Sequence, residues 1–302
     1  MLLQKKIPAD AVQSLAQEMG WVEPDSVFEK LLEDTMTAEN PNRPKKAGFI
    51  RPSSLTRCLR KLVFEYQGVE EERSYDGTPR IGESGTDAHT RIQGYIMKMK
   101  EHGHDITFMS VEDYLEKFPN PDLEIIDEAK DHKITFVDVV KNEIHYDDKV
   151  KSLTEYMERY RGPETLVYNK RTKSRFKTDG IILWSGKYYV LEIKTENTTK
   201  FNKHKTTKEP YEKHKLQGTY YGSEAFGIDR VMFLYEHRDT CKFFVSIFKI
   251  TEEDKKLVRY LVDETLRYGD NGWIAPRTVD KDECRFCPYL DRCTKIGDTM
   301  PL

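Results

Sequence analysis

Two β-rich runs, Arg175 to Trp184 and Lys187 to Thr195, meet at Ser185-Gly186, and this two-residue turn constrains the chain more than any other feature in it. A tight hairpin there makes Trp184 face Lys187 and keeps the sum of paired positions constant. Leu183 then faces Tyr188, Ile181 faces Val190, and Asp179 faces Glu192. Opposed side chains in such a ladder have Cβ atoms about 4.5 to 5.5 Å apart, so two carboxylates repel unless something positive lies between them. A divalent cation is the simplest such charge. Alternation places Lys194 on the face of Glu192, and an unpaired charge on an otherwise apolar strand pair is costly. An ordinary ion pair between a carboxylate and Lys194 is the competing reading of the same residues.

The elements around the hairpin suggest a layered domain. Strands are expected at Thr165 to Asn169, Val231 to His237 and Lys242 to Ile250, with a helical stretch around Tyr211 to Ala225. Thr251 followed by Asp254 has the form of a capping box, opening a helix with Leu257, Val258, Leu261 and Leu266 on one side. Upstream, Ser53 or Ser54 is expected to cap a helix containing Leu55, Cys58, Leu59, Leu62 and Val63. A second helix is expected from about Gly85 to Met99. The order is helices, an antiparallel meander, a crossover helix, two strands and a terminal helix. It predicts an α/β or α+β fold, a mixed sheet flanked by helices. Residues 1–48 read as a helical extension ending in the polar linker Ala38 to Lys46, and residues 49–302 as the main domain. Within it, 101–160 is expected to be an insertion, with a strand at Ile134 to Val140, and 251–302 to carry the last helix and its cysteines.

Composition limits the partners. The 302 residues hold 49 Lys and Arg against 52 Asp and Glu, a net charge of -3, so any polyanion site must be local. No stretch approaches the roughly 18 apolar residues of a membrane span, and no apolar run follows Lys5 and Lys6, which predicts a cytoplasmic protein without membrane contact. Local basic stretches do exist. Lys170, Arg171, Lys173, Arg175 and Lys177 run into Asp179, and Lys203 and Lys205 lie beyond the second strand of the hairpin. Such cations give sequence-independent affinity for phosphates, and Phe176, Phe201 or Tyr211 are candidates to stack single-stranded bases. A solvated basic edge is the alternative. Five cysteines, three of them crowded near the C-terminus, suit metal-binding thiolates better than disulfides.

Asp179 followed by Glu192-Ile193-Lys194 resembles the core of the PD-(D/E)XK nuclease superfamily, with Thr178 standing where the proline of that name would be. Gly85-Thr86-Asp87-Ala88-His89 resembles the Gly-x-x-x-His motif of the RecB-like branch, and Gln217 to Tyr221 its Gln-x-x-x-Tyr motif. The resemblance implies that His89, Asp179, Glu192 and the carbonyl of Ile193 hold Mg²⁺ or Mn²⁺, hard cations that favour oxygen ligands. It further implies that Lys194 orients the attacking water, and that Gln217 and Tyr221 brace the lysine or a phosphate. Gln217 and Tyr221, four apart, share a helix face, while Tyr220 is expected in the core.

Cys284, Cys287 and Cys293 form a C-x₂-C-x₅-C cluster one ligand short of a tetrahedral ion or a cubane. The segment around Cys58 resembles the N-terminal cysteine helix of RecB-like nucleases with a [4Fe-4S] cluster, among them CRISPR-associated and AddB-type nucleases. This implies an iron-sulfur cluster on Cys58, Cys284, Cys287 and Cys293, closing a loop of more than two hundred residues. A Cys₄ zinc site on the same thiols is the alternative, and Cys241 is expected to be a free thiol.

Together these features predict a metal-dependent deoxyribonuclease, an exonuclease on single-stranded or frayed DNA ends in repair, recombination or replication. No Walker-type Gly-x-x-x-x-Gly-Lys sequence is present, so a helicase or recombination partner would act in trans. A nuclease trimming DNA for CRISPR spacer acquisition shares the same chemistry. A non-catalytic nucleic-acid-binding protein with a Cys₄ zinc site is the competing class.

Overall fold

The computed structural model describes residues 47–72, 78–126, 165–278 and 284–296, together with Phe28 and Leu31. The chain divides into two units, Met1–Pro44 and Lys45–Leu302. Of the first, Phe28 and Leu31 are helical and exposed. The strand expected at Ile134 to Val140 and most of the helical extension expected at residues 1–48 lie outside the described residues.

The described part of the second unit is an α+β fold, a mixed five-stranded sheet flanked by helices. It runs α1 (Leu59–Gln67), α2 (Thr78–Lys98), β1 (Ile106–Met109), α3 (Val111–Lys117), β2 (Leu123–Ile125), β3 (Val167–Asn169), β4 (Ser174–Phe176), β5 (Ile181–Trp184) and β6 (Lys187–Glu196). It continues through α4 (Thr198–Thr207), α5 (Glu212–Thr219), a π-helical turn at Tyr220–Phe226, β7 (Arg230–His237), β8 (Phe243–Lys249), α6 (Glu252–Asp270) and α7 (Leu290–Ile296). The main sheet has the order β1-β5-β6-β7-β8, with β6 and β7 parallel and the other pairs antiparallel. β2, β3 and β4 form a separate antiparallel sheet.

The hairpin has the register its turn dictates, with Trp184 opposite Lys187, Leu183 opposite Tyr188 and Ile181 opposite Val190. The run Arg175 to Trp184 is nevertheless not one strand. β4 belongs to the small sheet and β5 to the large one, and the chain crosses between them through residues 177–180. Gly180 makes the crossing at φ +128°, where a Cβ would lie 2.4 Å from the Phe108 ring. β1, within the stretch expected to be an insertion, is an edge strand of the main sheet.

Parallel pairing buries both faces of β6, so Val190, Leu191, Glu192 and Ile193 are buried in succession. On one face, Leu191 and Ile193 pack with Ile92 and Ile96 of α2. On the other, Val190, Val231, Phe233 and Tyr235 pack with the π-helical turn, with Val258, Leu261 and Val262 of α6, and with Leu62 and Tyr66 of α1. The capping box at α6 is formed, Thr251 accepting from the Asp254 N–H and Asp254 from the Thr251 N–H. Ser53 and Ser54 instead lie in a 3₁₀ turn behind Pro52, and Cys58 is the residue that caps α1. Pro52 pre-sets the turn, and a second turn of chain is needed before Leu59 can face the core. Among the described residues no helix is long and apolar enough to cross a membrane.

Candidate functional site

Past Ile181 the β5–β6 ladder has one more bond, from the Leu191 N–H to the Gly180 carbonyl at 2.9 Å. Asp179 therefore sits beyond the last laddered residue, and its carboxylate reaches across to β6, where Oδ2 accepts the Ile193 N–H at 2.5 Å. Oδ1 lies 2.9 Å from His89 Nδ1 on α2. Gln93, one turn further along α2, donates from Nε2 to the Asp179 carbonyl at 2.9 Å. α2 thus holds Asp179 at two points.

Glu192 is 2 % exposed and its Oε2 lies 2.7 Å from Lys194 Nζ. Burial pushes its carboxyl up to about 7, and the negative charge of Asp179 adds to that rise while Lys194 opposes it. Lys194 Nζ also donates to Gln217 Oε1 at 3.1 Å. Gln217 Nε2 donates to the Tyr221 hydroxyl at 3.2 Å, which donates in turn to the Lys177 carbonyl at 3.1 Å. The step from α5 into the π-helical turn keeps Gln217 and Tyr221 on one side and sends Tyr220, fully buried, to Thr172 and Ser174. Desolvation holds the Tyr221 phenol well above its ordinary value, so it serves as a neutral donor.

The site is thus built from two sets of contacts: His89 with Asp179, and Glu192 with Lys194, Gln217 and Tyr221. Ile193 enters it through its N–H, with its side chain in the core under α2. Each carboxylate is already engaged by the protein. Among the described residues no three His, Cys, Asp or Glu side chains converge closely enough to hold one ion. The donor types still suit a hard cation: two carboxylates and an imidazole, with the Glu192 carboxyl raised by burial and, secondarily, by the charge of Asp179.

The basic residues separate into two sets. Lys170 pairs with Glu124 at 3.4 Å, Lys173 with Asp270 at 2.9 Å, and Arg171 with buried Glu224. Arg175 lies over the Phe49 ring. Lys203 lies over the Tyr211 ring, and Lys205 is exposed. Phe176 and Phe201 do not stack on a ligand, because both are buried in the core, and Tyr211 packs on His204 with ring centroids 3.8 Å apart. Besides Lys194, the cations that border the site's open side are Lys200 and Lys213, which lie in the basic stretch Lys200 to Lys215 that the sequence marks. Gln93 was missed, although its place four residues after His89 puts both on one helix face.

Cys58, Cys284, Cys287 and Cys293 line one small cavity with Arg60 and Lys61. Arg60 is 2 % exposed, donating to the Ala275 carbonyl at 2.7 Å and to Cys293 Sγ at 3.5 Å. Burial raises the Cys287 thiol, as do the nearby Cys58 and Cys293. Cys241 is an exposed free thiol away from this group.

No family model and no curated protein matches the chain. Among solved structures, SSO0001 is similar at a TM-score of 0.44 and 16% identity, over 91% of this chain and 98% of that one. The alkaline exonuclease LHK-Exo from Laribacter hongkongensis is similar at a TM-score of 0.33 and 12% identity, over 74% of this chain and 89% of that one.

Proposed function

We propose that the protein is a metal-dependent nuclease of PD-(D/E)XK type, hydrolysing DNA phosphodiesters as an exonuclease on single-stranded ends. The observation that carries this reading is the pair of contact sets itself: α2 and the β4–β5 crossing bring His89 to Asp179, and β6, α5 and the π-helical turn bring Glu192, Lys194, Gln217 and Tyr221 together beside the Ile193 N–H that Asp179 accepts. A structural ion pair needs two partners, whereas here Lys194 is held both by Glu192 and by Gln217, and Asp179 both by His89 and by the Ile193 N–H.

Asp179 and Glu192, with His89 and the Ile193 carbonyl, are the residues that would hold Mg²⁺ or Mn²⁺. Such an ion would stabilise charge on the phosphoryl oxygens and lower the pKa of a water. The chain's own contribution is positional. Gln217, fixed by Tyr221, holds the Lys194 ammonium at a set place beside Glu192, where it can orient a water or a phosphate oxygen. His89 and Gln93 keep Asp179 aimed at β6.

The four cysteines are proposed to carry a [4Fe-4S] cluster. They line a single cavity, yet no three described donors close on one point. A cubane offers each thiolate its own iron, whereas zinc draws four thiolates around one ion, and the absorption and metal content of the protein distinguish the two. Broad absorption near 400 nm with iron and sulfide in the purified protein supports the cluster; a colourless protein with one zinc per chain overturns it.

Binding without cleavage is the second reading, and the observation favouring it is that Asp179 and Glu192 are each already paired. Degradation of end-labelled single-stranded DNA in Mn²⁺ separates the two. Cleavage by wild type that is lost in Glu192→Ala and Lys194→Ala supports the nuclease. Three equally inert proteins that still bind DNA overturn it.

A further inference from the structure

Beside the carboxylates, the C-terminal end of β6 opens onto a cavity of about 280 Å³ bordered by Lys194, Lys200, Tyr211, Lys213 and His214. Lys194 comes from β6, and the first turns of two helices supply Lys200 and Lys213. Lys200 lies three residues after Asn197, the N-cap of α4, and Lys213 two residues after Tyr211, the N-cap of α5, whose side chain makes no capping bond. Helix N-termini carry partial positive charge, so the backbone adds to the field of the side chains.

The positive charge here is only partly answered by carboxylates. Lys194 is engaged by Glu192 and Gln217. Among the described residues, neither Lys200 nor Lys213 has an ion-pair partner. The carboxylate bordering the cavity, Glu196, is 4 % exposed and faces His204 Nδ1 at 2.9 Å. Lys213 is exposed at the cavity mouth; desolvation on its inner side, then the charges of Lys200, Lys194 and Lys61, lower it from the ordinary lysine value, while Glu196 opposes them. A fold that gathers ammonium groups at their mutual cost concentrates an anion there. His89 and Lys194 border this cavity and also belong to the carboxylate site, so an anion in it stands next to the reacting position.

We propose that Lys200 and Lys213 form a phosphate-binding subsite that holds a backbone phosphate of the strand under cleavage, adjacent to the scissile one. This rests on the nuclease reading for its place in the reaction, but strand binding tests it independently of cleavage. The mouth of the site is then a two-lysine clamp that reads phosphate spacing rather than bases, consistent with sequence-independent affinity.

The test uses the full chain carrying Glu192→Gln, so that substrate survives, and follows binding of a short labelled single-stranded oligonucleotide across a salt series. Adding Lys200→Ala with Lys213→Ala should weaken binding about tenfold at low salt and reduce the logarithmic salt slope by about 1.4, the share of two phosphate contacts on a single strand. Lys200→Arg with Lys213→Arg should keep both close to the parent. Unchanged affinity and slope in the double alanine variant overturn the proposal. Inorganic phosphate should displace the oligonucleotide only at concentrations far above that of the strand. If it binds the cavity as tightly as the strand does, the site is one for free anions and the proposal fails. The melting temperature is the control for folding: it should hold or rise, because repulsion is relieved, and a loss of binding with a lowered midpoint counts against the subsite. If wild type proves inert on DNA while the lysine effect persists, the nuclease reading has failed and the subsite has not.

Discussion

Glu192 is a carboxylic acid held where its charged form is poorly solvated, and its titration gives a stability prediction with a definite sign. Its folded pKa, about 7, lies above the ordinary value of 4.5, so the folded state binds more protons than the unfolded state between those two values. The contribution to stability is full below about pH 4.5 and is lost as pH rises through 7. The metal-free melting temperature of wild type should therefore fall between pH 5 and 8 relative to that of Glu192→Gln, by a few degrees. Parallel curves would show that the carboxyl is not desolvated as its surroundings indicate. Gln217 offers a second test. Removing its Oε1 frees the Lys194 ammonium, and Gln217→Ala should lower the cleavage rate about 10- to 100-fold with strand affinity nearly unchanged, read by single-turnover kinetics. At this scale the sequence was informative where chemistry-bearing residues came in spaced groups, as Gln217 and Tyr221 share a face at four-residue spacing. Counting back from Ser185-Gly186 puts Asp179 opposite Glu192, whereas the ladder ends at Gly180 and the Asp179 carboxylate turns to the Ile193 N–H and His89. The distribution of basic partners was opaque, since the carboxylates that engage Arg171 and Lys173 are Glu224 and Asp270, far along the chain.

At the level of elements, Gly180 is where two sheets exchange the chain. A side chain there meets both an unfavourable backbone angle and the Phe108 ring, so Gly180→Ala should destabilise the fold by about 1–3 kcal/mol, measured by denaturant unfolding. It should also weaken the site, because Asp179 is the adjacent residue. Reading Arg175 to Trp184 as one strand failed because β-formers continue on both sides of the crossing and the glycine alone marks it. β1 was missed for a different reason: four residues, Ile106–Met109, gain their strand geometry by pairing with β5 more than seventy positions away. Local pattern carries no trace of such a pairing. The helices fared better where capping chemistry is local, as at Thr251 and Asp254, and worse at Ser53 and Ser54, where Pro52 set a 3₁₀ turn instead.

Across the whole unit, α1 is tied to the C-terminal segment. Arg60 reaches the Ala275 carbonyl, Thr278 donates to the Arg57 carbonyl at 3.1 Å, and Phe64 meets Tyr289 edge to face, with the cysteine cavity among them. A cofactor there would close a loop of more than two hundred residues, so Cys287→Ser should lower the melting temperature well beyond a surface substitution and remove any visible absorption. The proposed cluster would brace α1 against the C-terminal segment. The central claim is that Asp179 and Glu192 are gathered to hold one divalent cation, and calorimetric titration of Mn²⁺ into the metal-free chain tests it most directly. One Mn²⁺ should bind per site with release of protons near pH 7, and Glu192→Gln should abolish that event. Equal Mn²⁺ uptake by both proteins, or none by either, would contradict it.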